Sequence, residues 1–203
     1  MTSVRRLAAV AATAPLVLGG IATAAPAMAD GGTGGNQLVC FDGESEGYGN
    51  GVCRLVDNGA VLKNAAAGDY SGVYVKRDGL SGESIGSVTK LSFKYQRDTA
   101  GGAPRFSLAI DDDGDGTYEY FAFADANGCS GGADGTKTNL VDVINDPTCL
   151  ISADATYANW AEFVAANPEA RFATDQVSFI IADQPGNYRV AQVKMGRAAA
   201  PGA

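Results

Sequence analysis

Four aspartates fall within five residues at Asp111-Asp112-Asp113-Gly114-Asp115, followed by Gly116-Thr117-Tyr118-Glu119. Read as D-x-D-x-D-G-x-x-E, the run puts carboxylates at loop positions 1, 3, 5 and 9. The Thr117 carbonyl falls at position 7, and Gly116 at position 6 permits a sharp turn. Oxygen ligands at alternating positions suit a hard cation such as Ca²⁺. An EF-hand would place a bidentate Glu at position 12, but Ala122 stands there, and both flanks of the loop read as strands. The expectation is a strand–loop–strand calcium loop. Asp111, Asp113, Asp115, Glu119 and the Thr117 carbonyl would hold one structural Ca²⁺. The competing reading is a solvated acidic β-turn, because Asp-Gly pairs favour hairpins for backbone reasons alone. Clustered carboxylates repel, and a turn needs only one or two of them, which favours the ion. Asp42, Glu44, Glu46 and Asp134 also sit among glycines and read as plain solvated turns.

Nothing else in the chain has the spacing of a reactive centre. The absence of His removes the Ser-His-Asp triad, the Cys-His dyad and every imidazole metal site. A carboxylate hydrolase needs two facing acids across a cleft. The six Glu (44, 46, 83, 119, 162 and 169) show no such pattern. No G-x-S-x-G nucleophile turn and no phosphate or dinucleotide loop is present. No catalytic residue is assigned, no cofactor other than Ca²⁺ is expected, and the chain reads as non-enzymatic.

These residues need a scaffold, and the composition indicates which kind. The chain has 203 residues, 46% hydrophobic and 19% charged, which excludes a disordered polymer. Net charge is 15 − 23 = −8, a poor match for nucleic acid or anionic lipid. Arg5 and Arg6 precede an apolar stretch over 7–25, and Ala27-Met28-Ala29 offers a small-x-small cleavage pattern. Residues 1–29 are therefore expected to be a signal peptide, 30–196 one secreted domain that does not span a membrane, and 197–203 a disordered tail. An even count of Cys in an exported chain argues for disulfides. Cys40–Cys53 and Cys129–Cys149 are favoured among the three connectivities, because each pair brackets one Gly/Asp-rich loop.

Short β-prone runs alternate with Gly/Asp/Asn turns, the pattern of an antiparallel sandwich. Candidate strands cover 37–41, 52–56, 60–64, 72–76, 88–97, 104–110, 117–124, 139–144, 176–182 and 188–195. Leu91-Ser-Phe93-Lys-Tyr95 and Phe106-Ser-Leu108-Ala-Ile110 alternate with period two, so one face meets a core. The stretch from Tyr188 starts in that period and then slips by one residue. One segment differs: Tyr157, Trp160, Phe163 and Val164 share a helical face, predicting a short helix over about 154–166. Asp154 or Thr156 would cap it, and Asn167-Pro168 would end it. Trp160 is expected to anchor this helix on a sheet rather than stack on a sugar.

Three segments together carry a resemblance: Gly101-Gly-Ala-Pro-Arg-Phe106 running into the acidic loop, then Asn159-Trp160 through Pro168, then the closing strand. Over about 72–196 the chain resembles a group of uncharacterised secreted bacterial β-sandwich domains. In architecture these are similar to jelly rolls of the concanavalin and carbohydrate-binding kind. The closing strand departs from the Asp-rich element of that group and reads Tyr188-Arg-Val-Ala-Gln. The resemblance implies an all-β jelly-roll-like sandwich. It also implies a monomeric, secreted, non-catalytic binding module, with an extracellular glycan or cell-wall component as partner. An extracellular structural or protein-interaction protein is the alternative, with a carboxylate hydrolase third.

Overall fold

In the computed structural model, the described residues are 28–29, 36–43, 47, 49–76, 79–129 and 135–197. They form two antiparallel sheets packed face to face. The first sheet holds β1 (Met28–Ala29), β2 (Gln37–Asp42), β5 (Ser71–Lys76), β13 (Phe179–Ala182), β7 (Arg105–Asp111), β8 (Tyr120–Asp125), β10 (Ile151–Ser152) and β11 (Thr156–Tyr157) in that order. β12 (Arg171–Phe172) adds to the end of β7. The second sheet runs β3 (Val52–Val56), β4 (Gly59–Asn64), β14 (Gly186–Arg197), β6 (Val88–Arg97) and β9 (Gly135–Asp142). The expected all-β sandwich is what the chain adopts.

Alternation decides which side chains meet between the sheets. Phe106, Leu108 and Ile110 of β7 face Leu91, Phe93 and Tyr95 of β6, and all six are at most 1% exposed. Phe93 and Phe106 close this layer edge to face, with ring centroids 4.9 Å apart. Cys40–Cys53 joins β2 to β3 and so ties one sheet to the other. Cys129–Cys149 binds the end of the β8 segment to the turn before β10. Both expected pairings are present.

Three local readings shift. The helix, α1, spans Trp160–Ala166 and does not begin near 154. Residues 156–157 pair with β10 instead, and Asn159 is the cap, its Oδ1 accepting the Glu162 N–H at 3.0 Å. Trp160 and Phe163 are buried as expected, whereas Val164 is only half-buried. The slip after Tyr188 is a β-bulge between Ala191 and Lys194, with Gln192 at φ 50°. Arg197, read as tail, closes β14 and pairs with Glu83 at 2.9 Å. Of the expected signal peptide, only Met28 and Ala29 are described, and their backbones pair with β2. Its other residues, and 198–203 of the expected tail, lie outside the described residues. Glu44, Glu46 and Asp134 lie outside them too.

Candidate metal centre and the face beside it

The β7–β8 hairpin brings the predicted acids together. Among the described residues, one carboxylate oxygen each from Asp111, Asp113, Asp115 and Glu119 lies within 4.8 Å of all the others. Ca²⁺ takes oxygens at about 2.3–2.6 Å, so ligands on opposite sides of the ion stand about 4.6–5.2 Å apart. A cluster of this size could hold a metal ion.

Local backbone chemistry builds this arrangement. Asp111 ends β7 and is fully buried. Its Oδ1 accepts the Gly114 N–H at 2.6 Å and its Oδ2 the Gly116 N–H at 2.8 Å. Gly114 (φ 80°) and Gly116 (φ 94°) occupy the left-handed region that closes the loop, where a side chain would be strained. Asp113 Oδ1 accepts the Asp115 N–H at 3.2 Å, and Asp115 Oδ1 the Thr117 N–H at 2.7 Å. The Thr117 backbone and hydroxyl contacts hold the Asp115 carboxyl below its ordinary value. Glu119 Oε2 accepts the Asp112 N–H at 2.6 Å, which closes the hairpin mouth. The residues predicted from sequence thus share one loop. β8 starts at Tyr120, so Thr117–Glu119 belong to that loop rather than to a strand.

Sequence reasoning missed the clamp. The segment between β12 and β13 grips the hairpin from outside. Thr174 donates both its N–H (2.9 Å) and its hydroxyl (2.8 Å) to the Gly116 carbonyl. Asp175 Oδ1 accepts the Tyr118 N–H at 2.9 Å. Nothing in the local sequence signals this, because 57 positions separate Asp175 from Tyr118.

It also missed the surface beside the hairpin. Outward positions of the first sheet fall in register as Tyr74 (β5), Phe179 (β13), Ser107 (β7) and Phe123 (β8). Ring contacts run across this face, from Phe41–Tyr74 (4.8 Å) through Tyr74–Phe179 (6.0 Å), Phe179–Phe121 (5.0 Å) and Phe121–Tyr118 (4.6 Å). All of these rings except Phe41 are half-exposed. Small residues lie between them: Gly72, Ser107 and Ala109 are covered by their neighbours. Arg105 stacks over Phe123 at 4.6 Å and pairs with Asp183 at 2.6 Å. Yet Arg105 Nε, Asp183 Oδ1 and Ser107 Oγ are buried without hydrogen-bond partners. Tyr118 is the last ring of the row and also part of the acidic loop, so the two features are continuous.

No family model, curated protein or solved structure matches this chain. Among the described residues, no helix is long and apolar enough to cross a membrane.

Proposed function

We propose that the chain is an exported, non-catalytic binding module that engages an extracellular glycan through the outer face of the first sheet. The row of half-exposed rings from Tyr74 to Tyr118 carries this reading. Outward positions of an antiparallel sheet are ordinarily polar, and rings held there by one another are ready-made platforms for the apolar faces of sugar rings. The Arg105–Asp183 ion pair, stacked over Phe123, adds charged groups at the edge of the same face. In this reading the acidic hairpin is a structural Ca²⁺ site that holds Tyr118 at the end of the row. Two disulfides support an oxidising compartment.

A glycan array read with labelled protein, followed by calorimetry on the best oligosaccharide, tests the reading. Phe179→Ala and Phe121→Ala should each weaken binding by roughly tenfold, about 1.4 kcal/mol, at an unchanged fold. Silence across the array, or affinity indifferent to both substitutions, would overturn it.

A further inference from the structure

The net charge of −8 conceals a strong segregation of cations. Of the 15 Lys and Arg, two lie in the expected signal, which leaves 15 − 2 = 13. Six of these, Arg54, Lys63, Lys90, Lys94, Arg189 and Lys194, project from the outer face of the second sheet and are exposed. The register places them close together. Arg54 and Arg189 flank Val61 in one cross-strand row, and Lys94 stands opposite Ala191 in the next. Arg105–Asp183 and Arg197–Glu83 are ion pairs elsewhere in the molecule. None of the six cations is ion-paired among the described residues. Among the described residues Asp142 is the acid on the face, and its carboxylate is held by the Asn145 amide at 3.0 Å. Asp57 and Asp98 stand at the rim, and Asp98 is engaged by Asn187.

Two shallow grooves lie on this face and share Gln96 and Arg189. One, of ≈ 370 Å³, is lined by Lys94, Thr138, Ala191 and Gln192 as well. The other, of ≈ 480 Å³, continues past Val61, Asn187 and Asp98. Gln192, at φ 50° in the β14 bulge, lines the first groove. Strand spacing of about 4.8 Å makes the face about 14 Å wide from β3 to β6. A rise of about 3.3 Å per residue separates Lys90 from Lys94 by about 13 Å. That extent suits a polymer more than a single small anion.

We infer that the outer face of the second sheet binds an acidic polysaccharide, a sugar chain bearing repeated carboxylates. Charge complementarity supplies the attraction: cations without an ion pair among the described residues meet regularly spaced anions. Between the cations stand the neutral donors and acceptors Gln96, Thr138, Asn187, Gln192 and Ser92, interspersed with the apolar Val61, Ala191 and Leu140. The polar ones match the hydroxyls between the acidic groups of a sugar chain. Single-stranded nucleic acid is recognised by base stacking on aromatic side chains. Tyr95, Phe93 and Tyr188 of these strands all point into the core. This site is separate from the aromatic face of the first sheet and does not depend on it.

The test is affinity electrophoresis and calorimetry of the full chain, without its signal segment, against polygalacturonate at about 0.01 M salt, with a salt series. Binding should appear and weaken steadily as salt rises. The variant combining Arg54→Gln, Lys94→Gln and Arg189→Gln should lose about tenfold or more in affinity and show a shallower salt dependence, with its melting temperature kept. Lys76→Gln, an exposed cation on the first sheet, should leave polygalacturonate affinity unchanged. Absence of binding at low salt, or an undiminished affinity of the triple variant, would overturn the inference. Tighter binding of duplex DNA than of polygalacturonate, lost in the same variant, would overturn it in favour of a nucleic acid.

Discussion

Asp111→Ala and Asp113→Ala should behave differently when each is melted in EDTA and in calcium. Asp111 is fully buried, and both its oxygens accept loop amides, at 2.6 and 2.8 Å. A hydrogen bond to a charged group contributes about 1.5–3 kcal/mol. The two bonds are only part-buried, so water replaces some of what is lost, and about 2–4 kcal/mol is expected for Asp111→Ala. At about 2–4 °C per kcal/mol, the midpoint in EDTA should fall by roughly 5–15 °C. Asp113 is exposed and holds one loop amide at 3.2 Å. Asp113→Ala should therefore shift the EDTA midpoint by less than about 2 °C. With a Kd on the order of 10⁻⁴ M, a hundredfold excess of Ca²⁺ should stabilise the wild type by about 2.7 kcal/mol. Neither variant should gain this. Scanning calorimetry at fixed ionic strength reads all six melts. A wild-type calcium shift in Asp113→Ala would refute the alternating ligand set. An Asp111→Ala midpoint unchanged in EDTA would refute the claim that this carboxylate holds the loop.

Trp160→Ala should cost about 3–5 kcal/mol by urea denaturation, since the indole is 6% exposed and packs on Phe163 at 5.4 Å. Native Trp emission should be blue-shifted, and a red-shifted, readily quenched spectrum would contradict that burial. Replacing Cys40 and Cys53 together by Ser should remove about 3 kcal/mol, and non-reducing peptide mapping should recover both disulfide pairs. Asp69 accepts N–H groups from Asn50, Ala66 and Ala65, which hold its carboxyl below the ordinary value against the opposing effect of burial. A lowered carboxyl contributes stability above its unfolded value of about 3.9, and that stability is lost as pH falls through the folded value. Asp69→Asn should thus flatten the fall of the urea midpoint below about pH 4, and an unchanged acid limb would contradict this.

The features legible in the sequence are those whose causes are local. Period two in Phe106-Ser-Leu108-Ala-Ile110 and Leu91-Ser-Phe93-Lys-Tyr95 put the right side chains into the core. Steric alternation along a strand needs no knowledge of its neighbours. The acidic loop was readable for the same reason: the four carboxylates that cluster lie within nine residues, and Gly114 and Gly116 bend the chain so that they converge. The helix start shows where local signals compete. Asp154 and Thr156 are good caps, but β10 offered the backbone of Thr156 and Tyr157 a sheet partner, so the helix began at the next available cap, Asn159.

What only the tertiary structure decided are the two outer faces. Tyr74, Phe121 and Phe179 come from three strands far apart in the chain, and each is an unremarkable strand residue where it stands. Register alone places them side by side. Arg54, Lys94 and Arg189 are likewise scattered, and a net charge sums over the molecule without regard to direction. The pairing of β3, β4, β14 and β6 sends those cations to one side, while the acids of the β7–β8 hairpin belong to the other sheet. The sequence sets which side chain points up or down along its own strand. Which strands become neighbours, and so which side chains share a surface, depends on long-range pairing that no local pattern encodes.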